Sequence, residues 1–346
     1  MSPAASADSK DMPSIITVDH FKALSIMGST PTNAPVAVAV SGGPDSMALC
    51  YFLSQWALHS GVQIHAITVD HGLREDAATE ARQVDEWLAD WPNVKHIILT
   101  RDAKETQSRT RVMEEARHDR YAMMAEYCTA HNIERLFVAH HRDDQAETFL
   151  FRLAKGSGLD GLSCMNAEHD YSDTLKIMRP FLVYTKDAIV KSCAELDIPY
   201  ITDPSNENEA YARPRLRKAA EILAEEGLTV KRLSVTASRL ARAKETLEHY
   251  TNELLAASVV CQDSDTITLE YKILATAPPE IRLRVLLRGI SLFNPDKNYA
   301  PRMEKCEDLE ARIFEEKDFH AATLGGVIFR LDSVQKHLLL EKEKSL

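Results

Sequence analysis

An α/β fold, a parallel sheet flanked by helices with a smaller, mainly helical domain behind it, is what the sequence predicts, and three observations lead there. Strand-like apolar runs alternate with helical periods through residues 36–154, the pattern of β-α-β units joined by right-handed crossovers. Several of those runs, VAVAV and HIILT among them, are continuously apolar, as in strands covered on both faces. Finally, each glycine-rich or charged cluster falls where a strand stops and a helix starts, at the carboxyl edge where open sheets of this kind bind ligands.

The elements follow in order. Residues 36–40 read as the first strand, halted by Ser41-Gly42-Gly43 and followed by the helical run 47–58. QIHAITVD (63–70) alternates as a strand, and 76–90 has helical spacing with an acidic first turn. KHIILT (95–100) is a third strand, 112–132 a long helix whose Asn132 suits a C-terminal cap, 134–141 a fourth strand and 144–154 its helix. Gly156, Gly158 and Gly161 then interrupt the helical period; they make either a mobile loop over a bound nucleotide or a plain helix cap with a turn. From residue 219 the character changes, with amphipathic helices at 228–258 and 279–293 and two short strands, 320–333 and 334–343, set to pair as a hairpin. The expected organisation is an N-terminal extension (1–18), an α/β domain (19–218) that holds every glycine-rich and charged cluster at its strand ends, and a mainly helical domain ending in a strand pair (219–346).

A chain of 346 residues with 45% hydrophobic and 27% charged residues can bury a sizeable core and exceeds the usual single-domain size. Its first dozen residues lack an apolar leader and no later run matches a bilayer, so the expectation is a cytoplasmic protein without a membrane anchor. Six cysteines are scattered singly, with no C-x-x-C pair, which suits reduced core thiols better than disulfides or zinc. The net charge of −11 argues against a general affinity for nucleic acid, because a polyanion is held through Lys and Arg. RNA contact would have to be local, through Arg109, Arg111, Arg117 and Arg120 or through Arg213, Arg215, Arg217 and the basic positions up to Lys244; solvated helix faces with internal ion pairs account for the same residues.

The strand-turn-helix VAVAVSGGPDS has the form of a phosphate cradle. Gly42 and Gly43 can take left-handed angles and turn successive N–H groups inward, and the following helix aims its positive end at the same place. Pro44 has no N–H to lose at a first helical turn, and the Ser41 and Ser46 hydroxyls can reach phosphate oxygens. Asp45 is the anomaly: a carboxylate beside phosphate calls for Mg²⁺ between them, or else answers the helix dipole. The run AHHRDDQAET sets His140, His141, Asp143, Asp144 and Glu147 at a second strand-to-helix junction. Asp45 and Asp144 can hold Mg²⁺ between them, with His140 as phosphate donor or general base; a His/Asp transition-metal site and a simple N-cap are the alternatives. VDHGLR (69–74) brings Arg74 to the same rim, within reach of phosphate.

The loop lacks the Lys-Ser/Thr of a Walker A motif and the Rossmann spacing; it resembles the SGGxDS loop of the PP-loop, or N-type, ATP pyrophosphatases. That implies cleavage of ATP between the α- and β-phosphates. SGGPDS, VDHGLR, EEARHDRY (114–121), AHHRDDQAET, KGSGLDGL, RPFL (179–182), DPSN (203–206) and the Arg-rich segment, in this order over roughly residues 34–220, resemble the tRNA(Ile)-lysidine synthetases. The resemblance implies a ligase that adenylates the wobble cytidine of tRNA(Ile) with the CAU anticodon and couples free L-lysine to it. It implies ATP and Mg²⁺ as cofactors, Asp45 and Asp144 on the metal, His140 and Arg213 at the transferring phosphoryl group, and Arg74, Arg117, Arg120, Arg215 and Arg217 toward tRNA. One departure stands out: Pro214 occupies the position of the family's Asn and biases Arg213 toward extended geometry. Without C-x-x-C pairs the chain differs from tRNA thiolases, and it lacks the N-terminal Cys of glutaminase-coupled enzymes. Another adenylating PP-loop enzyme and a non-catalytic ATP-binding module remain as alternatives, and oligomeric state is open, a homodimer included.

Overall fold

The computed structural model of the chain describes residues 12–58, 60–70, 77–100, 109–202, 222–294 and 301–343. Two compact units are formed, Met1–Ala241 and Arg242–Leu346.

The first unit is organised by a six-stranded sheet. Its strands are β1 (Val36–Ala39), β2 (Ile64–Asp70), β3 (Val94–Thr100), β4 (Arg135–Phe137), β5 (Glu168–Ser172) and β6 (Leu175–Met178), in the order β3-β2-β1-β4-β6-β5. All neighbours are parallel except the β5–β6 edge hairpin. The helices are α1 (Val18–Lys22), α2 (Ser25–Gly28), α3 (Pro44–Ala57), α4 (Ala77–Leu88), α5 (Arg109–Ala130), α6 (Arg142–Ala154), α7 (Leu159–Leu162) and α8 (Lys186–Glu195). Strand alternation sorts the side chains to two cores. Val36, Val38, Val40, Ile64 and Ala66 pack with Met47, Leu49 and Phe52 of α3, Val84 and Leu88 of α4 and Ile189 of α8. Ala37, Ile67, Leu136 and Ile177 face the other way, onto Met124 and Cys128 of α5. Burial on both faces is why β1 reads as a continuous apolar run, whereas β3, at the sheet edge, leaves Ile98 exposed and is not covered on both faces, contrary to what its sequence suggested.

Strand order fixes where a ligand can sit. The chain moves outward from β1 through β2 to β3, then returns to β4 on the opposite side of β1. That reversal is a topological switch point, and it opens a crevice between the loops leaving β1 and β4. Residues 41–43 and 138–141 are those loops. Asn132, at φ 55°, ends α5 in the left-handed cap its position suggested. The glycine segment after α6 is pinned rather than open: Gly156 takes φ 73°, Arg152 Nη1 donates to the Gly161 carbonyl at 2.7 Å, and Gln145 exchanges two hydrogen bonds with the Met165 backbone. The cap-and-turn alternative therefore describes it.

The second unit is helical as expected but carries a larger sheet than one strand pair. After α9 (Val230–Ser258) come β7 (Val259–Gln262), β8 (Thr266–Glu270), α10 (Tyr271–Ala275), α11 (Pro279–Phe293), α12 (Met303–Glu315), β9 (Ala321–Leu324), β10 (Val327–Asp332) and β11 (His337–Lys342). The strands form one antiparallel sheet, β7-β8-β11-β10-β9. The stretch 320–333 is itself a hairpin, turned at Gly325 and Gly326, both at positive φ, so the expected strand pair is part of five strands. Ile267, Leu269, Phe329, Leu338 and Leu340 bury against Val285, Leu286 and Ile290 of α11 and Leu309 and Ile313 of α12. No helix among the described residues is long and apolar enough to cross a membrane.

Candidate active site

The loop after β1 is shaped by two serines and one glycine. Ser46 Oγ, in the first turn of α3, accepts from the Ser41 backbone N–H at 3.1 Å, donates to the Gly43 carbonyl at 3.0 Å and lies 3.3 Å from Ser41 Oγ. Gly42 alone takes the left-handed conformation, at φ 83°. A Cβ there would lie 2.9 Å from Ile201 Cδ1 and 3.1 Å from Val84 Cγ2, and the Gly42 carbonyl accepts from Ile201 N–H at 2.8 Å. Gly43, expected to share that geometry, is extended instead, at φ −72° and ψ 163°, as the N-cap of α3. Pro44 follows at the first helical position, where its missing N–H costs nothing.

Across the crevice, the first turn of α6 presents Asp143 and Asp144 beside the N-cap His141. Asp144 Oδ2 accepts from the His141 backbone N–H at 3.0 Å and lies 3.5 Å from His141 Nε2, while Asp45 Oδ1 is 3.9 Å from the same nitrogen. The two carboxylates singled out in the sequence therefore converge on one imidazole. Asp143 Oδ2 sits 3.5 Å from His141 Nδ1 and accepts the backbone N–H of Lys186 at 2.8 Å. Burial pulls His141 down, but Asp143, Asp144 and Asp45 outweigh it and its pKa ends above 6.5. Asp143 moves the other way: burial pushes it up, and His141 together with the Lys186 N–H brings it below the ordinary carboxylate range.

Lys186 is the functional residue that sequence reading passed over. Its ammonium donates to both carboxylate oxygens of Asp45, at 2.7 and 2.6 Å. Thr185 caps α8 by accepting from Ala188 N–H, which leaves Lys186 at the first helical position. A cation there opposes the helix dipole. The ion pair with Asp45 offsets that unfavourable place, and nothing local in the sequence marks it. Arg142 N–H donates to the Tyr184 carbonyl at 2.8 Å, fastening the start of α6 to the segment that carries Lys186.

His140, half-buried, lies between β4 and α6, and Glu147 is buried one turn into α6 from Asp143 and Asp144. Arg117 and Arg120 lie on α5; Arg117 is exposed, its guanidinium carbon 5.7 Å from the Tyr121 ring centroid. Arg74, Arg213, Arg215 and Arg217 lie outside the described residues, as does Pro214. Among the described residues no group of three or more His, Cys, Asp or Glu side chains is arranged to hold a metal ion. Asp45 and Asp144, both within 4 Å of His141 Nε2, are hard oxygen donors of the kind Mg²⁺ takes, one or two to an ion, with substrate phosphate and water completing its shell.

Residues 17–224 match the family model described as a PP-loop domain, which carries the name ATP_bind_3. The tRNA(Ile)-lysidine synthase of Wolbachia pipientis wMel is 33% identical over 314 residues, 90% of this chain and 72% of that protein. Those of Bradyrhizobium diazoefficiens and Rhodopseudomonas palustris are each 37% identical, over 75% and 79% of this chain and 73% and 78% of theirs. A solved U34-tRNA thiolase, NcsA from Methanococcus maripaludis, shares the fold at TM-score 0.50 and 15% identity, over 62% of this chain and 74% of its own. With a PP-loop domain over most of its first unit and relatives of this kind along most of its length, the chain belongs to the tRNA(Ile)-lysidine synthase family.

Proposed function

We propose that this chain is the ligase that couples free L-lysine to C2 of the wobble cytidine in CAU-anticodon tRNA(Ile), working in the cytoplasm. In the first step the cytidine C2 oxygen attacks the α-phosphorus of ATP, a new P–O bond forms and pyrophosphate leaves. In the second the ε-amine of lysine attacks C2, and AMP departs with the former C2 oxygen. The reading is carried by one observation, the meeting of Asp45, Asp144, His141 and Lys186 at the mouth of the glycine loop in a chain of this family.

Each residue has work to do in that scheme. The N–H groups of residues 42 and 43 and the N-terminal end of α3 hold phosphate oxygens. Asp45 and Asp144 would hold Mg²⁺, which when bound neutralises charge on the triphosphate and on departing pyrophosphate. Lys186 occupies Asp45 until that charge arrives, then is free to turn toward phosphate. His140 donates to phosphate or takes the proton of the incoming amine, and Arg213 steadies the transferring group. Residues 219–346, with Arg74, Arg117, Arg120, Arg215 and Arg217, meet the tRNA. In a protein of net charge −11 such contacts must be local.

The test incubates the protein with ATP, radiolabelled lysine and the tRNA transcript, beside Asp45→Ala and Asp144→Ala. Either substitution should lower label incorporation by roughly 10²- to 10³-fold, with pyrophosphate as the inorganic product in the wild type. Incorporation at the wild-type rate in either variant contradicts the assigned roles. Release of orthophosphate and ADP contradicts the reaction itself.

A further inference from the structure

The peptide joining Val40 to Ser41 is the root of the phosphate loop, and it is gripped at both ends. Its N–H donates to Ser46 Oγ at 3.1 Å, and its carbonyl accepts from Thr68 Oγ1 at 2.9 Å. A peptide unit is planar, so fixing O and N–H together fixes the direction in which the chain enters Gly42. The first grip belongs to the loop's own helix. The second comes from elsewhere in the sheet.

Thr68, on β2, is 2.8 Å from His96 Nε2 on β3, and His96 Nδ1 is 2.8 Å from Asp85 Oδ1 on α4. Register places His96 opposite Ala66 and thus diagonal to Thr68 on the face covered by α4. Thr68 Oγ1 donates its one hydrogen to the Val40 carbonyl, Asp85 Oδ1 can only accept from the His96 ring, and the other ring nitrogen lies against Thr68 Oγ1. The His96 side chain is 4% exposed, whereas that of Asp85 is 64% exposed, so the chain of bonds runs from the surface of α4 to the loop root. Val84, the neighbour of Asp85, packs where a Gly42 side chain would be.

We propose that Asp85, His96 and Thr68 are positioning residues: a relay that holds the Val40–Ser41 peptide plane and so sets the loop's affinity for the ATP triphosphate. The inference rests on the reading that residues 41–46 hold ATP phosphate. None of the three touches the nucleotide. They act by keeping the N–H groups of the loop aimed before ligand arrives, which spares the binding step the cost of ordering them.

The experiment measures ATP dissociation constants, and KM values for ATP, lysine and tRNA, in the full-length protein and in Thr68→Val, Thr68→Ser and Asp85→Ala. Valine keeps the volume of threonine and removes the hydroxyl; serine keeps the hydroxyl; Asp85 is exposed enough for its removal to spare the fold. Loss of one such hydrogen bond corresponds to about three- to tenfold in affinity. ATP binding should weaken about tenfold in Thr68→Val, less in Asp85→Ala, and recover in Thr68→Ser, with KM for lysine and tRNA unchanged. ATP binding by the wild type with equal affinity in Thr68→Val and Asp85→Ala overturns the relay alone. So does Thr68→Ser binding as weakly as Thr68→Val, or a common loss across all three substrates. A wild type that binds no ATP overturns the phosphate-loop reading and the relay with it.

Discussion

Replacing Gly42 by alanine separates two physical demands that the phosphate loop makes on one residue. The backbone at φ 83° lies in the left-handed region, where a side chain costs about 1–2 kcal/mol. The new Cβ would also lie 2.9 Å from Ile201 Cδ1 and 3.1 Å from Val84 Cγ2, closer than carbon atoms pack, and overpacking of this kind costs about 1–3 kcal/mol. Together the expected loss is about 2–5 kcal/mol, a large fraction of the stability of a typical domain. The nearer conflict is with the far end of one side chain, and Ile201→Val removes that atom. Ile201→Val alone should cost about 0.5–1.5 kcal/mol, yet in the Gly42→Ala background it should cost less or even help, with a coupling of about 1 kcal/mol in the favourable direction. Urea unfolding of the four proteins measures the cycle, and the KM for ATP in each reports whether the loop has moved. Strictly additive effects would show that Ile201 is not what excludes a side chain at Gly42. A Gly42→Ala protein of native stability and native KM would refute both parts of the reasoning.

His141 gives stability a pH dependence of defined sign. Its folded pKa lies above 6.5 because three carboxylates outweigh its burial, so the folded state binds the proton more tightly. The stabilisation is complete below about pH 6.5 and is lost as pH rises through the folded value. The difference in unfolding free energy between wild type and His141→Gln should therefore shrink across that rise; a pH-independent difference would remove the carboxylates as its cause. In the second unit, a Cβ at Gly289 of α11 would overlap Leu340 Cδ2. Gly289→Ala should cost about 1–3 kcal/mol in unfolding experiments, and an unchanged midpoint would mean that Leu340 has room to rotate.

Much of the first unit could be read because its local signals agree with its topology. The runs around Val38 and Ile67 are apolar on both faces, since helices cover both, and Asn132 ends α5 because few residues tolerate its left-handed backbone. The second unit was harder for the opposite reason. β7 and β8 have only 4 and 5 residues, too few turns of alternation to separate from a loop, and β11, the further partner of β8, lies some seventy positions along the chain. Part of the pairing of β8 comes from that distant strand, and nothing local reports it.

At the site the same distinction holds between what a residue is and what it faces. Asp45 and Asp144 could be singled out because a carboxylate in a phosphate-binding context is chemically odd wherever it points. Lys186 could not, because a lysine at a helix start becomes informative only once Asp45 is found 2.6 Å from it. His96 and Thr68 lay deeper still: each is unremarkable in its own strand, and a parallel register of β2 on β3 is what turns them into neighbours. The residues proposed to meet substrate are thus legible by type, and those that pack behind them are legible only by pairing. The described structure therefore adds most in the layer behind the loop, where Val84 and Asp85 of one helix reach Gly42 and, through two side chains, the carbonyl of Val40.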